Sequence, residues 1–341
     1  MAKSAKGSKK DFVRWGIIST ARIGTEQVIP SMLKSKQLEV RAIASRSIDT
    51  ARKTARKLGI PVAYGSYEEL FDDPDIDAIY NPLPNHLHVP MTLAAAARGK
   101  HVLCEKPISL TAAEAKKLKD APGGILIAEA FMVRHHPQWM RARKLVKSGK
   151  LGTVRAVQVL FSYFNREADN IRNIPETGGG ALYDIGCYAI VTGRFIFASE
   201  PVRVMALVDR DPDFHTDRTT SALLDFGEGR HMTFTTSTQA TNYQRANILG
   251  SKARLEVLIP YNAPLGGSSR LYLDNGKKHG NRSAKPIKIA KADQYQLQAE
   301  SFSRAIRGKE EQVYGVDDAI LQMRVIDALF RSEKSGHWEK P

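Results

Sequence analysis

Between Val13 and Ala130, short apolar runs alternate with stretches whose apolar residues recur every three or four positions. The runs VRWGII (13–18), LEVRAIA (38–44), DAIYN (77–81), HVLCE (101–105) and GILIAEA (124–130) read as strands. Helical patterns follow from about Ile23 to Lys34, from Asp49 to Leu58, near His88 and near Ala112. Ser109 or Thr111 is the cap of the last of these. Strand cores that are apolar on both sides belong in a parallel sheet with helices on both faces. The alternation predicts a doubly wound α/β domain over residues 12–130, its ligand crevice beyond the carboxyl ends of the strands.

After Ala130 the pattern changes. Pro137 fits the first turn of a helix running to about Lys147, and Gly149 follows as a stop. The strand-like runs TVRAVQVLFSYF, VRVMALVD, TTSALLDF, HMTFTTSTQ, RANILGS and ARLEVLI then dominate. They predict an α+β domain over 131–341 with a large, mostly antiparallel sheet. Its covering helices are expected at Ala181–Phe197, Tyr295–Arg307 and Val316–Arg331. The other face of such a sheet is suited to a second subunit, so a homodimer or homotetramer is expected.

The length of 341 residues fits two domains, and 42% apolar residues can build their cores. The stretch MAKSAKGSKKD (1–11) reads as a disordered basic tail and lacks the apolar centre of a secretion signal. No run is long and apolar enough for a membrane span. Two cysteines, Cys104 and Cys187, give no disulfide framework, and a reducing cytoplasm is expected. No metal-ligand spacing is present. The net charge of +15 sits in the tail, in a polar stretch from Lys277 to Lys291 and along helix faces. That distribution suits solubility or attraction of small anions, not specific nucleic-acid binding.

The chemistry gathers at strand ends. The first strand leads into GIISTARIG (16–24), where a G-x-G-x-x-G fingerprint would align with Ser19, Ala21 and Gly24. Ser and Ala are small enough to let a pyrophosphate approach the backbone through Thr20, Arg22 and Ile23. The second strand ends in Ser45 and Arg46, where an NAD site usually offers an acid to the ribose hydroxyls. Arg46 suits a 2′-phosphate, which favours NADP over NAD, although a surface arginine stacked on the adenine fits the same position. Pro82, Leu83, Asn85 and His86 shape the next strand-end loop, and Lys106 stands between Glu105 and Pro107. Finally, GGGALYDIGCY (178–188) sets Asp184 and Tyr188 four residues apart on one helix face. On the residues alone, this is either a site facing the nucleotide or a core tyrosine with an early-helix acid favoured by the dipole.

Together, GIISTARIG, NPLPNHLH, VLCEKP, EAFMVRHHP and GGGALYDIGCY resemble the Gfo/Idh/MocA family of NAD(P)-dependent oxidoreductases over nearly the whole chain. With Tyr188 where many relatives have His, the chain is similar to the branch of glucose–fructose oxidoreductase, dimeric dihydrodiol dehydrogenase and xylose dehydrogenases. The resemblance implies a Rossmann dinucleotide-binding domain and a catalytic set of Lys106, Asp184 and Tyr188. In that set Tyr188 moves the proton, Lys106 touches a substrate hydroxyl and the cofactor, and Asp184 binds a substrate hydroxyl or orients its neighbours. It also places Asn85 and His86 near the nicotinamide ribose, and Glu105 beside the nicotinamide. Arg134 and His136 would line the crevice, Arg134 on the cofactor side and His136 on the substrate side. Phe164, Arg166, Asn170 and Arg172 are further pocket candidates.

A tyrosine has an ordinary pKa of about 10, and a neighbouring ammonium together with the oxidised nicotinamide is expected to lower it. The resulting expectation is hydride transfer between NADP or NAD and an aldose or related polyhydroxy carbonyl compound. Reduction of a dicarbonyl sugar or oxidation of a trans-dihydrodiol uses the same residues. A non-catalytic NADP sensor on the same fold is the reading from another class.

Overall fold

The computed structural model describes residues 12–309 and 313–341, and the expected basic tail, residues 1–11, lies outside the described residues. Six strands form a parallel sheet: β1 (Val13–Ile18), β2 (Leu38–Ala44), β3 (Val62–Tyr64), β4 (Ala78–Asn81), β5 (His101–Cys104) and β6 (Ile127–Glu129). Their order is β3-β2-β1-β4-β5-β6. The order turns back between β1 and β4, and a doubly wound sheet opens its crevice at such a point. The helices between them are α1 (Ile29–Met32), α2 (Ile48–Leu58), α3 (Tyr67–Asp72), α4 (His88–Ala96) and α5 (Ala112–Lys116). A π-helical turn, Gly24–Val28, leads into α1. Thr111 is the residue that caps α5, its Oγ1 accepting from Glu114 N at 3.1 Å. The strand β3 and helix α3 are additions to the sequence reading. β3 has three residues, none fully buried, so it carries no apolar run to recognise.

The second sheet has eight strands: β7 (Val154–Phe164), β8 (Arg203–Arg210), β9 (Asp217–Asp225), β10 (His231–Ser237), β11 (Gln239–Gly250), β12 (Arg254–Val257), β13 (Ser269–Asp274) and β14 (Lys285–Ile289). The order is β14-β13-β12-β11-β7-β10-β9-β8. Every pair is antiparallel except β7 with β10. Four further helices complete the chain: α6 (Pro137–Lys147), α7 (Cys187–Phe197), α8 (Gln294–Ile306) and α9 (Val316–Ser335). A π-helical turn, Leu182–Gly186, precedes α7. Along β7, Val157, Val159 and Phe161 are buried while Leu160 is exposed, so α7 covers one face of the sheet and the other lies open.

One expectation is corrected. Helix α8 does not cover the second sheet; it packs on α1, β2 and the π-helical turn before α1. Phe302 lies 5.7 Å from the Trp15 ring, and Trp15 Nε1 donates to Ser303 Oγ at 3.1 Å. Lys34 Nζ reaches Asp293 Oδ2 at 2.9 Å. A parallel sheet must bury both faces, and the short α1 leaves β1 and β2 under-covered. Helix α9 joins the two halves, touching β8 and α7 on one side and α5 and β6 on the other. Among the described residues, no helix is long and apolar enough to cross a membrane.

Candidate active site between the two sheets

A cleft of about 1120 Å³ opens at the carboxyl ends of the first sheet. Ala21, Arg22 and Ile23 line it from the turn after β1, and Pro82, Leu83 and Asn85 from the loop after β4. Glu105 and Lys106 enter after β5, facing Tyr163, Arg172, Asp184 and Tyr188 from the second half. His88 ties two of these loops together, its Nδ1 2.7 Å from Pro107 O and its Nε2 2.7 Å from Leu83 O.

The glycines before Asp184 answer to close approaches. Gly180 has φ +115°, and a Cβ there would overlap Asp217 Oδ1. Asp217 in turn accepts from Leu182 N at 2.6 Å and Thr220 Oγ1 at 2.9 Å through Oδ2. A buried carboxyl therefore caps the turn that carries Asp184. At Gly178, φ is +82° and a Cβ would meet Leu110 and Asn85, whose Nδ2 donates to Gly178 O at 3.0 Å. The glycine run thus lets the second half of the chain settle on the loop after β4.

At the centre, Lys106 Nζ donates to Asp184 O at 2.7 Å and to Asp184 Oδ1 at 3.2 Å. Asp184 Oδ2 accepts from Tyr163 OH at 2.6 Å and from Arg172 Nε at 3.0 Å. Burial pushes the Asp184 carboxyl up, but the Arg172 and Lys106 charges and the Tyr163 bond outweigh it and hold the group well below the usual carboxylate range. Burial pulls the Lys106 ammonium down, but Asp184, Cys187 and Glu105 raise it above its ordinary value.

Tyr188 is buried against Phe131, Phe161 and Tyr261, with Lys106 Nζ 5.0 Å from its ring centre. Its hydroxyl donates to Met132 Sδ at 3.3 Å. Burial first, then Tyr295, Glu105, Cys187 and Asp184, push the phenol well above its ordinary value. Lys106 by itself does not bring the lowered pKa that the sequence reading expected from Lys106 and an oxidised nicotinamide together. The Lys106 charge is taken up by Asp184, so it does not offset the desolvation of Tyr188.

The structure brings together Lys106, Asp184, Tyr188 and Arg172 with Ala21, Arg22, Ile23, Pro82, Leu83, Asn85 and Glu105. Phe164 and Asn170 lie at the same cleft. Ser19, Thr20, Ser45 and Arg46 stand just outside its walls. Ser19 N donates to Ala44 O at 2.8 Å, which sets the ends of β1 and β2 side by side. His86 also lies outside the walls, its buried Nδ1 without a partner.

Three candidates are placed elsewhere. Arg134 is buried against Asp318 on α9 at 2.5 Å, with the Tyr314 ring 3.9 Å away. His136 caps α6, its Nδ1 accepting from Gln138 N at 3.1 Å, and burial pushes it down to about 4. Arg166 is half-exposed and pairs with Asp213 at 2.5 Å. Tyr163, Met132 and Tyr295 line the cleft and were not singled out in the sequence. For Tyr163 the available signal was its place in the inward-facing alternation Val157, Val159, Phe161.

Two family models match the chain. "Oxidoreductase family, NAD-binding Rossmann fold" covers residues 13–122, and "GFO/IDH/MocA C-terminal domain" covers residues 139–256. An uncharacterized oxidoreductase of Rhizobium meliloti is 46% identical over 331 residues, 96% of this chain and 99% of that protein. A D-xylose 1-dehydrogenase (NADP(+)) of Haloferax volcanii is 36% identical over 326 residues, 94% of this chain and 98% of that protein. A crystal structure of a 3-ketoreductase from Actinomadura kijaniata, in complex with NADP and TDP-benzene, superposes with a TM-score of 0.87. It is 27% identical and covers 94% of this chain and 98% of that one.

The Asp217 cap gives a pH prediction. Burial raises this carboxyl to about 7, against about 4 in an unfolded chain. Between those values the folded chain holds a proton that the unfolded chain has lost, so stability falls as pH rises through the window. Asp217→Asn keeps an acceptor for Leu182 N and carries no titrating proton. Its Tm, followed by circular dichroism from about pH 4 to about pH 7, should fall less than the wild-type Tm. Equal slopes would remove Asp217 as the source.

Proposed function

Because the chain belongs to the GFO/IDH/MocA family of NAD(P)-dependent oxidoreductases, we propose that it moves hydride between NADP and an aldose or related polyhydroxy carbonyl compound. The observation that carries this reading is the Lys106 ammonium, held by Asp184 and set 5.0 Å from the Tyr188 ring in the cleft. The D-xylose dehydrogenase relative supports the substrate class.

The residues at the strand ends fit a dinucleotide. Ser19 adopts φ 79°, the left-handed conformation of a tight turn, and its Oγ accepts from Ala21 N at 3.1 Å. The end of β2 offers Ser45 and an exposed Arg46 and no carboxylate, a donor set that favours the 2′-phosphate of NADP. When bound, the nicotinamide supplies the ring that gives or takes hydride.

The remaining chemistry falls to this chain. Lys106 polarises the oxygen of the reacting carbon and steadies negative charge on it. Tyr188, a neutral phenol in this setting, gives that oxygen its proton as it becomes a hydroxyl. Thioether sulfur is a weak acceptor, so a substrate oxygen readily takes the Tyr188 proton from Met132. A neutral phenol is the form that gives a proton to a carbonyl oxygen, and reduction of a carbonyl compound is the second reading.

A second copy of the chain is proposed to cover the open face of the eight-stranded sheet. Two adjacent rows there, Met205, Leu223, Thr233, Gln158 and Leu207, Ser221, Thr235, Leu160, hold no charged residue. Leu207 is 77% exposed. An apolar, uncharged patch on so basic a chain favours a partner with the same surface. Leu207→Lys should lower the mass seen by light scattering, and an unchanged mass would place the interface elsewhere.

The test of function follows nicotinamide absorbance with NADP or NAD and a panel of aldoses, dicarbonyl sugars and dihydrodiols. Wild type should turn over an aldose or its lactone with NADP(H). Tyr188→Phe should lose about 100-fold or more in kcat with cofactor affinity kept. Arg46→Ala should weaken NADP far more than NAD. Near-full activity of Tyr188→Phe would remove it as the proton carrier, and tight NADP binding without any turnover would favour a sensor.

A further inference from the structure

Asp184 is more fully engaged than a substrate ligand should be. A carboxylate has two oxygens with about four acceptor positions. Here Oδ1 takes Lys106, while Oδ2 takes both Tyr163 OH and Arg172 Nε. The shortest of these bonds, 2.6 Å, comes from Tyr163. Tyr163 sits near the end of β7, between Ser162, which pairs with both β10 and β11, and Phe164, which pairs with Gln239 of β11. Arg172 comes from the loop before the glycine run and its side chain is 42% exposed, which makes it the softer of the two anchors.

We propose that Tyr163 is a positioning residue for the reaction: acting through Asp184, it fixes the Lys106 ammonium beside Tyr188 and reserves the Asp184 carboxylate for Lys106 instead of substrate. The inference rests on the oxidoreductase reading above and deepens it. Burial and the Asp184 charge keep the Tyr163 phenol protonated, so it always donates to Oδ2. That bond helps hold Asp184 ionised and turned so that Oδ1 and the main-chain carbonyl point at the same ammonium. A lysine on four flexible carbons takes its position from the groups it bonds. The Tyr163 hydroxyl bonds Asp184 Oδ2, and its effect on Lys106 passes through that carboxylate.

The experiment is a double-mutant cycle of Tyr163→Phe with Asp184→Asn, alongside wild type. Tyr163→Phe keeps the ring and deletes only the hydroxyl, and thermal unfolding checks that the fold persists. It should lower kcat about tenfold and leave cofactor affinity within about twofold of wild type. In the Asp184→Asn background the same change should cost less than about twofold. The same loss in both backgrounds, or a loss confined to cofactor affinity, overturns the proposal while the oxidoreductase reading stands. Should wild type turn over nothing, that reading fails by itself. The proposal is then decided by the carbon-13 carboxyl resonance of Asp184, identified by its absence in Asp184→Asn. Tyr163→Phe should shift that resonance at neutral pH, and an unchanged resonance overturns the inference.

Discussion

One ammonium holds the site together across the molecule. Lys106 leaves the end of β5 in the first sheet, and its Nζ lies between the main-chain carbonyl and the carboxylate of Asp184 in the second half. A buried cation is tolerable only with its charge and protons answered, and Asp184 answers both. The cleft walls, the Tyr188 ring and the strand-end turns are arranged around that contact. Without the carboxylate the lysine would be an uncompensated charge, and without the lysine the carboxylate would be held by Tyr163 and Arg172 alone.

The rest of the fold brings the two ends of this contact together. The turn-back of the first sheet opens a crevice between β1 and β4, and the residues after β4 and β5 face it. On the other side, Gly178 and Gly180 let the chain run close to Asn85 and Asp217 before the π-helical turn that carries Asp184. Helix α9 packs on both halves, and α8 reaches back to seal β1 and β2. The electrostatic outcome differs from a simple lysine–tyrosine pair. Because Lys106 is paired with Asp184, burial in its aromatic surroundings holds the Tyr188 phenol above its ordinary value.

Much of this was legible in the sequence, and the gaps have physical causes. Parallel strands buried on both faces leave unbroken apolar runs, so five of the six strands of the first sheet stood out, while the short, half-buried β3 left no run. The helix at Gln294–Ile306 showed an amphipathic face, but such a face does not say which sheet it will meet. Lys106, Asp184 and Tyr188 drew notice by their places at a strand end and after a glycine run, and the structure brings the three to one cleft. Arg134 and His136 are not among the residues lining the cleft: a short 3-10 turn, Met132–His135, sends one to Asp318 and makes the other a helix cap. Tyr163 looked like any inward strand residue, since its meaning lies in a bond to a residue 21 positions away.

The most direct measurement is steady-state turnover and cofactor binding by Lys106→Met, whose side chain keeps much of the length and none of the charge. If the ammonium held by Asp184 steadies the developing oxyanion, kcat should fall by about 100-fold or more while NADPH binds within a few-fold of wild type. Turnover close to wild type, with the fold intact by thermal unfolding, would contradict the account at its centre and move the chemistry away from the contact between the two sheets.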